Sequence, residues 1–247
     1  MSNSPKIPVL ILCGGKGSRF SKIDEKPKQL SILNGKPIII HIIDLFFKSD
    51  FNYFILPLGY KKKMFMNFFN SKINQKKFNL NLIKKDTNDI LSKKKNILIF
   101  DAKEKTNKLQ RIKKSLKFIN SKKLIVTYGD GISNVNINSL VNFSKKSECT
   151  LTAFKIKSQY GHLELKKNIL KKFIEKPFLE KPINIGFYVF NKKLIQNNYK
   201  KNIDLEDGLL PKLAKKIKIF CYFHRGYFYS VDNPKDLENL KKIYAKR

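Results

Sequence analysis

Short apolar runs alternate with amphipathic stretches along most of the chain. Runs of this kind are typical of strands that are buried on both faces of a sheet. The strands predicted in the first half are Val9–Cys13, Tyr53–Leu58, Asn96–Phe100 and Lys123–Tyr128. The helices predicted there are Pro37–Lys48, Lys61–Asn70, Asn107–Ile119 and Asn138–Lys146. Because strands and helices alternate, the pattern predicts a mainly parallel sheet with helices on both faces.

The second half of the chain is richer in strands. A lysine-rich stretch, Ser71–Asn96, precedes it and is predicted to be an exposed loop or flap, apart from one alternating segment at Phe78–Ile83. The later predicted strands are Thr150–Ile156, His162–Leu165, Leu170–Ile174, Asn184–Phe190 and Lys218–Phe223. The later predicted helices are Leu205–Lys215 and Pro234–Tyr244, the second with a capping box of Asn233 and Asp236. The sequence therefore predicts a three-layer, Rossmann-like α/β fold with a strand-rich C-terminal half.

The net charge of +33 comes from 52 basic residues against 19 acidic ones. Only four of the basic residues are arginines, whereas nucleic-acid-binding proteins favour arginine for bidentate contacts. The lysines are spread along the chain with many Asn, Ile and Phe residues, a mixture typical of an AT-rich coding sequence. We interpret the charge as a solvated lysine surface that attracts small anionic substrates, and we expect no nucleic-acid partner.

The cellular environment is predicted from patterns that the chain lacks. Its apolar runs are shorter than the ~18 residues that a membrane span needs, so no membrane partner is expected. No cleavable signal pattern precedes the first strand. Cys13, Cys149 and Cys221 are far apart and odd in number, which favours neither a zinc site nor a disulfide framework. A cytoplasmic location is the expectation.

The first predicted strand runs into the loop CGGKGSR, Cys13–Arg19. Doubly wound sheets bind ligands at the carboxyl ends of their strands, where this loop lies. Glycines let backbone N–H groups approach phosphate oxygens, and Arg19 can hold a phosphate bidentately. The loop matches neither the Walker A motif nor the dinucleotide fingerprint. Alone, it indicates either a phosphate-binding loop or a tight glycine turn.

Four further motifs carry candidate chemistry. A lysine of EKPKQL, Glu25–Leu30, can neutralise a phosphate during its transfer. Asp130 of VTYGDG and Asp232 of YSVDNPKD supply the hard oxygen ligands that Mg²⁺ prefers. Glu175 of FIEKP and Asn184 of INIGFYVFN can hydrogen-bond the hydroxyls of a polyol. Each motif alone also fits a structural role, as a solvated lysine, a turn residue, a helix cap or a surface charge.

The order of the motifs is more specific than any one of them. The series GG-x-G-[ST]-R, KPK, GKPI, YGDG, EKP, an ING-like step before FYV, and VD before the last helix extends from Val9 to Tyr244. This series resembles the sugar-phosphate nucleotidyltransferases and is most similar to their glucose-1-phosphate cytidylyltransferase branch. The resemblance implies the nucleotide-diphospho-sugar transferase fold in a single domain, 1–247. Its nucleotide-binding part would cover about 1–131 and its sugar-phosphate-binding part about 132–247.

The resemblance also implies roles for the residues that match the motifs. Lys28, Arg19 and Asp130 would be catalytic, and Asp130 and Asp232 would bind Mg²⁺. The implied nucleotide-binding residues are Cys13, Gly14, Gly15, Gly17, Ser18, Arg19, Lys28, Arg111, Tyr128 and Gly129. The implied sugar-phosphate-binding residues are Gly161, Glu175, Lys176, Asn184 and Gly186.

The implied reaction transfers a nucleotidyl group from CTP to glucose 1-phosphate and gives CDP-glucose and pyrophosphate. Two departures leave the base and the sugar open: Asn107 and Lys108 stand where the family usually has two glycines, and Ile185 replaces the first glycine of N-G-G. Guanylyl or thymidylyl transfer, or another sugar, is therefore an alternative. A non-enzymatic polyanion-binding protein is a further one. The resemblance also implies small-molecule substrates, a homo-oligomer and a role in surface-polysaccharide synthesis.

Overall fold

The computed structural model describes residues 7–15, 26–84 and 93–245. Its strands are β1 (Val9–Leu12), β2 (Ile32–Leu33), β3 (Lys36–Pro37), β4 (Tyr53–Leu58), β5 (Leu80–Ile83), β6 (Lys95–Asp101), β7 (Lys123–Tyr128), β8 (Gly131–Ser133), β9 (Cys149–Phe154), β10 (His162–Lys166), β11 (Ile169–Ile174), β12 (Ile183–Asn191), β13 (Phe220–His224) and β14 (Phe228–Ser230). Its α-helices are α1 (Ile38–Phe47), α2 (Lys62–Asn70), α3 (Lys72–Phe78), α4 (Lys108–Ser115), α5 (Ile137–Phe143), α6 (Lys192–Asn198), α7 (Leu210–Ala214) and α8 (Pro234–Ala245).

Eight of the described strands form a central sheet in the order β13-β9-β12-β7-β1-β4-β6-β5. Neighbouring strands are parallel, except that β12 runs antiparallel to both β7 and β9. The register places Leu10 of β1 opposite Ile55 of β4 and Val126 of β7. The predicted mainly parallel sheet is confirmed.

Helices cover both faces of this sheet. Val9 and Ile11 of β1 belong to one buried cluster, to which α1, α2, α5 and α8 contribute. Leu10 and Leu12 belong to a second cluster, with α4, α6 and α7. Because β1 buries both of its faces, its sequence is a continuous apolar run rather than an alternating one. The predicted three-layer arrangement is also confirmed.

The stretch Ser71–Asn96 corrects a prediction. Residues 72–78 form α3, whose N-cap is the hydroxyl of Ser71, and residues 80–83 form the edge strand β5. Phe78 is buried, and its ring centroid lies 5.9 Å from that of Phe68 on α2. The prediction of an exposed loop is therefore wrong for 72–78 and for the start of β6. The helix is anchored to α2 by this aromatic contact and by the side-chain amides of Asn74 and Gln75, which donate to the carbonyls of Phe68 and Phe69.

Other differences are local. The short elements α6, β8 and β14 were not predicted, and the predicted helix at Leu205–Lys215 begins as a π-helical turn at Leu205–Leu209 before α7. The predicted capping box is confirmed: Asp236 N donates to Asn233 Oδ1, and Asn233 N donates to Asp236 Oδ2, both at 3.0 Å. None of the helices in the described ranges combines the length and the apolar character that crossing a bilayer requires.

Two short strands bring distant parts of the chain together at the carboxyl edge of the sheet. β14 runs antiparallel to β8, with Ser230 opposite Gly131. The backbone N–H of Val231 donates to the carbonyl of Asp130 at 3.1 Å. The segment that follows β14 therefore lies beside the turn that follows β7.

Candidate active site

A cavity of about 290 Å³ lies where β1 and β7 end and α4 begins. Parallel sheets bind their ligands at this edge. The predicted residues among its lining are Gly14, Gly15, Lys28, Arg111, Tyr128 and Asp130. The other lining residues are Leu12, Gln29, Thr106, Asn107, Lys108 and Asp204. The structure thus brings six predicted residues from four separate segments to one cavity.

Lys28 joins the two aspartates that the sequence predicts as metal ligands. Its Nζ lies 2.5 Å from Asp130 Oδ2 and 3.4 Å from Asp232 Oδ1. The lysine side chain is only 12% exposed, whereas those of Asp130 and Asp232 are 23% and 49% exposed, so water reaches the acidic side of this cluster. The pairing of β8 with β14 holds the two carboxylates near each other, although the aspartates are distant in sequence.

A short rigid turn presents Lys28. Residues 28–30 form one turn of 3-10 helix directly after Pro27, and Leu30 N donates to the carbonyl of Pro27 at 2.8 Å. Gln29 is buried within the turn, so Lys28 extends from a fixed backbone rather than from a free loop.

Arg111, on the first turn of α4, is buried beneath the glycines of the cavity. Its Nε donates to the carbonyl of Thr106 at 3.0 Å, and its Nη2 donates to that of Glu104 at 3.3 Å. Its Nη1 has no hydrogen-bond partner in the described part of the chain. A Cβ built on Gly14 would lie 1.5 Å from Nη1, and one on Gly59 would lie 2.7 Å from Nη2. The guanidinium can pack here only because both neighbours lack a side chain.

Burial lowers the pKa of Arg111 and the negative charge of Asp204 acts in the opposite direction, but an arginine remains a cation at any physiological pH. A buried cation with an unused donor is costly unless an anion meets it. Arg111 is therefore a candidate donor to an anion bound beside Gly14.

Cys13 has a structural role, and its thiol is unreactive. Burial raises the pKa of its thiol to about 12, although the charge of Arg111 lowers it in part. The thiol is therefore neutral at physiological pH and is not a nucleophile. Gly129 N donates to the carbonyl of Leu12 at 3.1 Å, and a Cβ on Gly129 would lie 3.1 Å from the Cβ of Cys13. These two predicted residues pack against each other between β1 and β7, and neither is among the residues that line the described cavity.

Lys108 is a site residue that sequence reasoning missed. Its Nζ lies 2.5 Å from Glu206 Oε2 and 3.7 Å from Asp204 Oδ2, and 5.9 Å from the centre of the Tyr128 ring. Burial would lower the pKa of Lys108, but the hydrogen bond and charge of Glu206, with Asp204, raise it overall. Asp204 also accepts a hydrogen bond from Leu109 N at 3.2 Å, at the start of α4. No local sequence pattern signals this contact, because about a hundred residues separate its partners.

A chain of hydroxyl groups connects the cavity with β12. The hydroxyl oxygens of Tyr128 and Tyr188 lie 2.9 Å apart, and Asn184 Nδ2 donates to Tyr188 Oη at 2.5 Å. Burial raises the pKa of Tyr188 to about 12. Gly186, with φ at +77°, packs against Tyr128: a Cβ there would lie 2.2 Å from the ring. Asn184 and Gly186 are thus coupled to the cavity through two tyrosines.

The other predicted sugar-phosphate residues lie on or next to the hairpin of β10 and β11. Glu175 and Lys176 form an ion pair at 3.6 Å, and both side chains are about 60% exposed. Gly161 packs against the ring of Phe173. None of these three residues is among those that line the described cavity. The remaining predicted residues, Gly17, Ser18 and Arg19, lie outside the described residues.

The donor set fits a divalent cation. Two carboxylates already converge on one positively charged group, the ammonium of Lys28. Mg²⁺ is typically bound through one or two carboxylates while it keeps waters and substrate phosphates. Within the described ranges, no larger group of three or more His, Cys, Asp or Glu side chains is arranged as a metal site. Asp130 and Asp232 are therefore the residues that would hold the ion.

Comparisons with known proteins identify the family of this chain. A model of the nucleotidyl transferase family matches residues 8–245. The chain is 31% identical to the probable glucose-1-phosphate cytidylyltransferase of Bacillus subtilis, over 96% of this chain and 95% of that protein. It is 26% identical to the glucose-1-phosphate cytidylyltransferase of Salmonella typhimurium, over 96% of each. Its fold is similar to the crystal structure of HddC from Yersinia pseudotuberculosis, with a TM-score of 0.70 and 22% identity, over 96% of this chain and 99% of that one. These matches confirm the predicted resemblance, and the chain belongs to the nucleotidyl transferase family of sugar-phosphate nucleotidyltransferases.

Proposed function

We propose that this enzyme transfers the cytidylyl group of CTP to glucose 1-phosphate, with CDP-glucose and pyrophosphate as products. Two relatives that match nearly its whole length carry the name glucose-1-phosphate cytidylyltransferase. One observation carries the proposal: an ammonium group, two carboxylates and a buried guanidinium from distant segments converge on one edge of the sheet. Nucleotidyl transfer between two anions needs this set of charges.

The main obstacle to the reaction is that two polyanions must meet. The oxygen of a sugar phosphate is already negative, so its attack on the α-phosphorus needs no strong general base. The attack is in line: the new bond forms at the α-phosphorus while the bond to the leaving pyrophosphate breaks, and no covalent enzyme intermediate forms. Lys28 would neutralise the charge that grows on the α-phosphate oxygens, and Arg111 Nη1 would donate to a phosphate oxygen of the nucleotide.

Asp130 and Asp232 would hold Mg²⁺ beside this cavity. The ion, when bound, would neutralise phosphate charge and polarise phosphate oxygens. The contribution of the chain is positional: the hydrogen bond from Val231 N to the carbonyl of Asp130 keeps the two carboxylates adjacent.

The base and the sugar are the finer parts of the proposal. Asn107 is the N-cap of α4, and its Nδ2 donates to the carbonyl of Ile203 at 3.0 Å. Together with Lys108, it gives this wall of the cavity side chains rather than bare backbone. Ile185 is 3% exposed and packs in the core, whereas Asn184 is exposed and would bind a sugar hydroxyl. The altered wall at Asn107 and Lys108 favours keeping transfer of another base as the second candidate.

Pyrophosphate release tests the proposal. The purified chain is given CTP, GTP, UTP or dTTP, each with a panel of sugar 1-phosphates and Mg²⁺. We expect the highest kcat/KM for CTP with glucose 1-phosphate, and loss of turnover in Asp130→Asn. Lys62→Met, which removes a surface lysine paired with Asp101 at 2.6 Å, is the matched control and should keep full activity. A preference for another nucleotide or sugar would replace the cytidylyl assignment. The proposal that the chain is an enzyme would be refuted if no nucleotide and sugar 1-phosphate gave turnover and if the chain bound DNA with an affinity that falls steeply with salt.

A further inference from the structure

The ammonium group of Lys28 lies between the two carboxylates proposed to bind a divalent cation. It is within ion-pair distance of both, at 2.5 Å from Asp130 Oδ2 and 3.4 Å from Asp232 Oδ1. A divalent cation bound by both carboxylates would compete with the ammonium group for this space. Two cations cannot share that space, because like charges at such short range repel each other strongly.

The carboxylates are held by contacts that do not involve Lys28. Ser230 Oγ donates to Asp232 Oδ2 at 3.0 Å, and the backbone N–H of Asp232 donates to Asp236 Oδ2 at 2.9 Å. Val231 N donates to the carbonyl of Asp130 at 3.1 Å. The backbone of Asp130 and the carboxylate of Asp232 therefore keep contacts of their own when the lysine leaves.

Lys28 also has a second place to go. It lines the same cavity as Arg111, whose buried Nη1 has no hydrogen-bond partner among the described residues. Its four-carbon side chain is flexible, and an ammonium is a compact charge that can exchange one anionic partner for another. The phosphate chain of a nucleotide bound in this cavity would offer Lys28 a new anionic partner.

We propose that Lys28 is the counter-ion of the Asp130–Asp232 pair in the nucleotide-free chain. It excludes divalent cations from this pair until nucleotide phosphates draw its ammonium group into the cavity. This inference rests on the proposed function for the identity of the nucleotide and the cation. Lys28 would then couple the two binding events favourably. A bound nucleotide removes the ammonium group from the cation site, and a bound cation releases the ammonium group to the nucleotide. The side chain of Lys28 then makes the cation and the triphosphate bind together.

Binding of Mn²⁺ to the nucleotide-free chain tests the inference without any turnover. Free Mn²⁺ is measured by its electron paramagnetic resonance signal during titration at constant ionic strength. We expect Lys28→Met to bind one Mn²⁺ at least about tenfold more tightly than the wild type, since one unit charge at this range typically shifts the affinity of a carboxylate for a cation by tenfold or more. Lys28→Arg keeps the charge and should bind as weakly as the wild type.

Two controls separate a local effect from a general one. Lys62→Met removes the same charge from a lysine that pairs with Asp101 instead, and it should leave Mn²⁺ affinity unchanged, which excludes a contribution from net charge alone. Asp130→Asn added to Lys28→Met should abolish the tight site. Lys28→Gln is the second neutral variant, in case the methionine variant does not fold.

The outcomes discriminate between this inference and the proposed function. Tighter Mn²⁺ binding in the neutral Lys28 variants alone supports the counter-ion role, even if the substrate panel reveals a different nucleotide. Equal Mn²⁺ affinity in the wild type and both neutral variants would overturn it, even if CTP turnover is observed. An equal gain in Lys62→Met would also overturn it.

Discussion

The contact between Gly14 and Arg111 allows a quantitative test of how the cavity is built. Replacing Gly14 with alanine places a Cβ 1.5 Å from Arg111 Nη1 and 2.9 Å from the backbone N of Gly59. The guanidinium has to move and gives up its hydrogen bonds to Thr106 and Glu104. Overpacking costs about 1–3 kcal/mol, and each hydrogen bond from a charged donor is worth about 1.5–3 kcal/mol. Because the displaced group regains water, we expect a net loss of about 3 kcal/mol of unfolding free energy.

A double-mutant cycle isolates this contact. In a chain of this size, about 3 kcal/mol lowers the thermal midpoint by roughly 6–12 °C. In an Arg111→Met background the clash with the guanidinium is gone, and Gly14→Ala should cost only about 1 kcal/mol, from the backbone of Gly59. The expected coupling is therefore about 2 kcal/mol.

Gly15→Ala is the matched control for stability. No described atom lies within 4 Å of a Cβ at Gly15, so its unfolding free energy should change by less than about 0.5 kcal/mol. Additive effects of Gly14→Ala and Arg111→Met would refute the reasoning, as would equal losses at Gly14 and Gly15. The assay is thermal unfolding followed by circular dichroism.

Three further predictions follow from the site and its surroundings. Lys28→Ala should lower kcat about 10²–10³-fold in the pyrophosphate-release assay, because one preorganised charge is lost from the transition state; a loss below tenfold with intact folding would remove Lys28 from catalysis. Asp44→Asn should destabilise the chain by about 3 kcal/mol with unchanged kcat, because it leaves Lys95, whose side chain is 9% exposed, without its paired carboxylate; a change below 1 kcal/mol in thermal unfolding would contradict this. Burial lowers the pKa of His224, so its stabilisation is present above about pH 6.5 and is lost as the pH falls through its lower folded value. The midpoint difference between the wild type and His224→Gln should therefore shrink from pH 7.5 to pH 5.5, and a constant difference would speak against it.

Much of the fold could be predicted because its core strands bury both faces. Val9–Leu12 and Tyr53–Leu58 are nearly continuous apolar runs, and the structure pairs them side by side in parallel. The helix at Lys72–Phe78 could not be predicted in the same way. Lysines cover its exposed surface, and Phe78 is its only buried residue. A tertiary contact, that of Phe78 with Phe68, stabilises this helix, and the local composition does not indicate that contact.

The candidate site also contains residues that short sequence motifs indicate and residues that they do not. Glycines after a strand, and an aspartate between glycines, are local signals, so Gly14 and Asp130 could be identified from short motifs. The resemblance supplied Arg111, and it singled out Lys28 from the many lysines. The contact of Lys108 with Glu206 had no such signal, because it depends on how α4 and the π-helical turn meet in three dimensions.

The most direct test of the central claim follows oxygen atoms through the reaction. The chain is supplied with CTP, Mg²⁺ and glucose 1-phosphate whose three terminal phosphate oxygens are ¹⁸O, and the products are analysed by mass spectrometry. If a sugar-phosphate oxygen attacks the α-phosphorus, CDP-glucose carries all three labelled oxygens and pyrophosphate carries none. Label in pyrophosphate, or the absence of any labelled nucleotide sugar, would contradict the account.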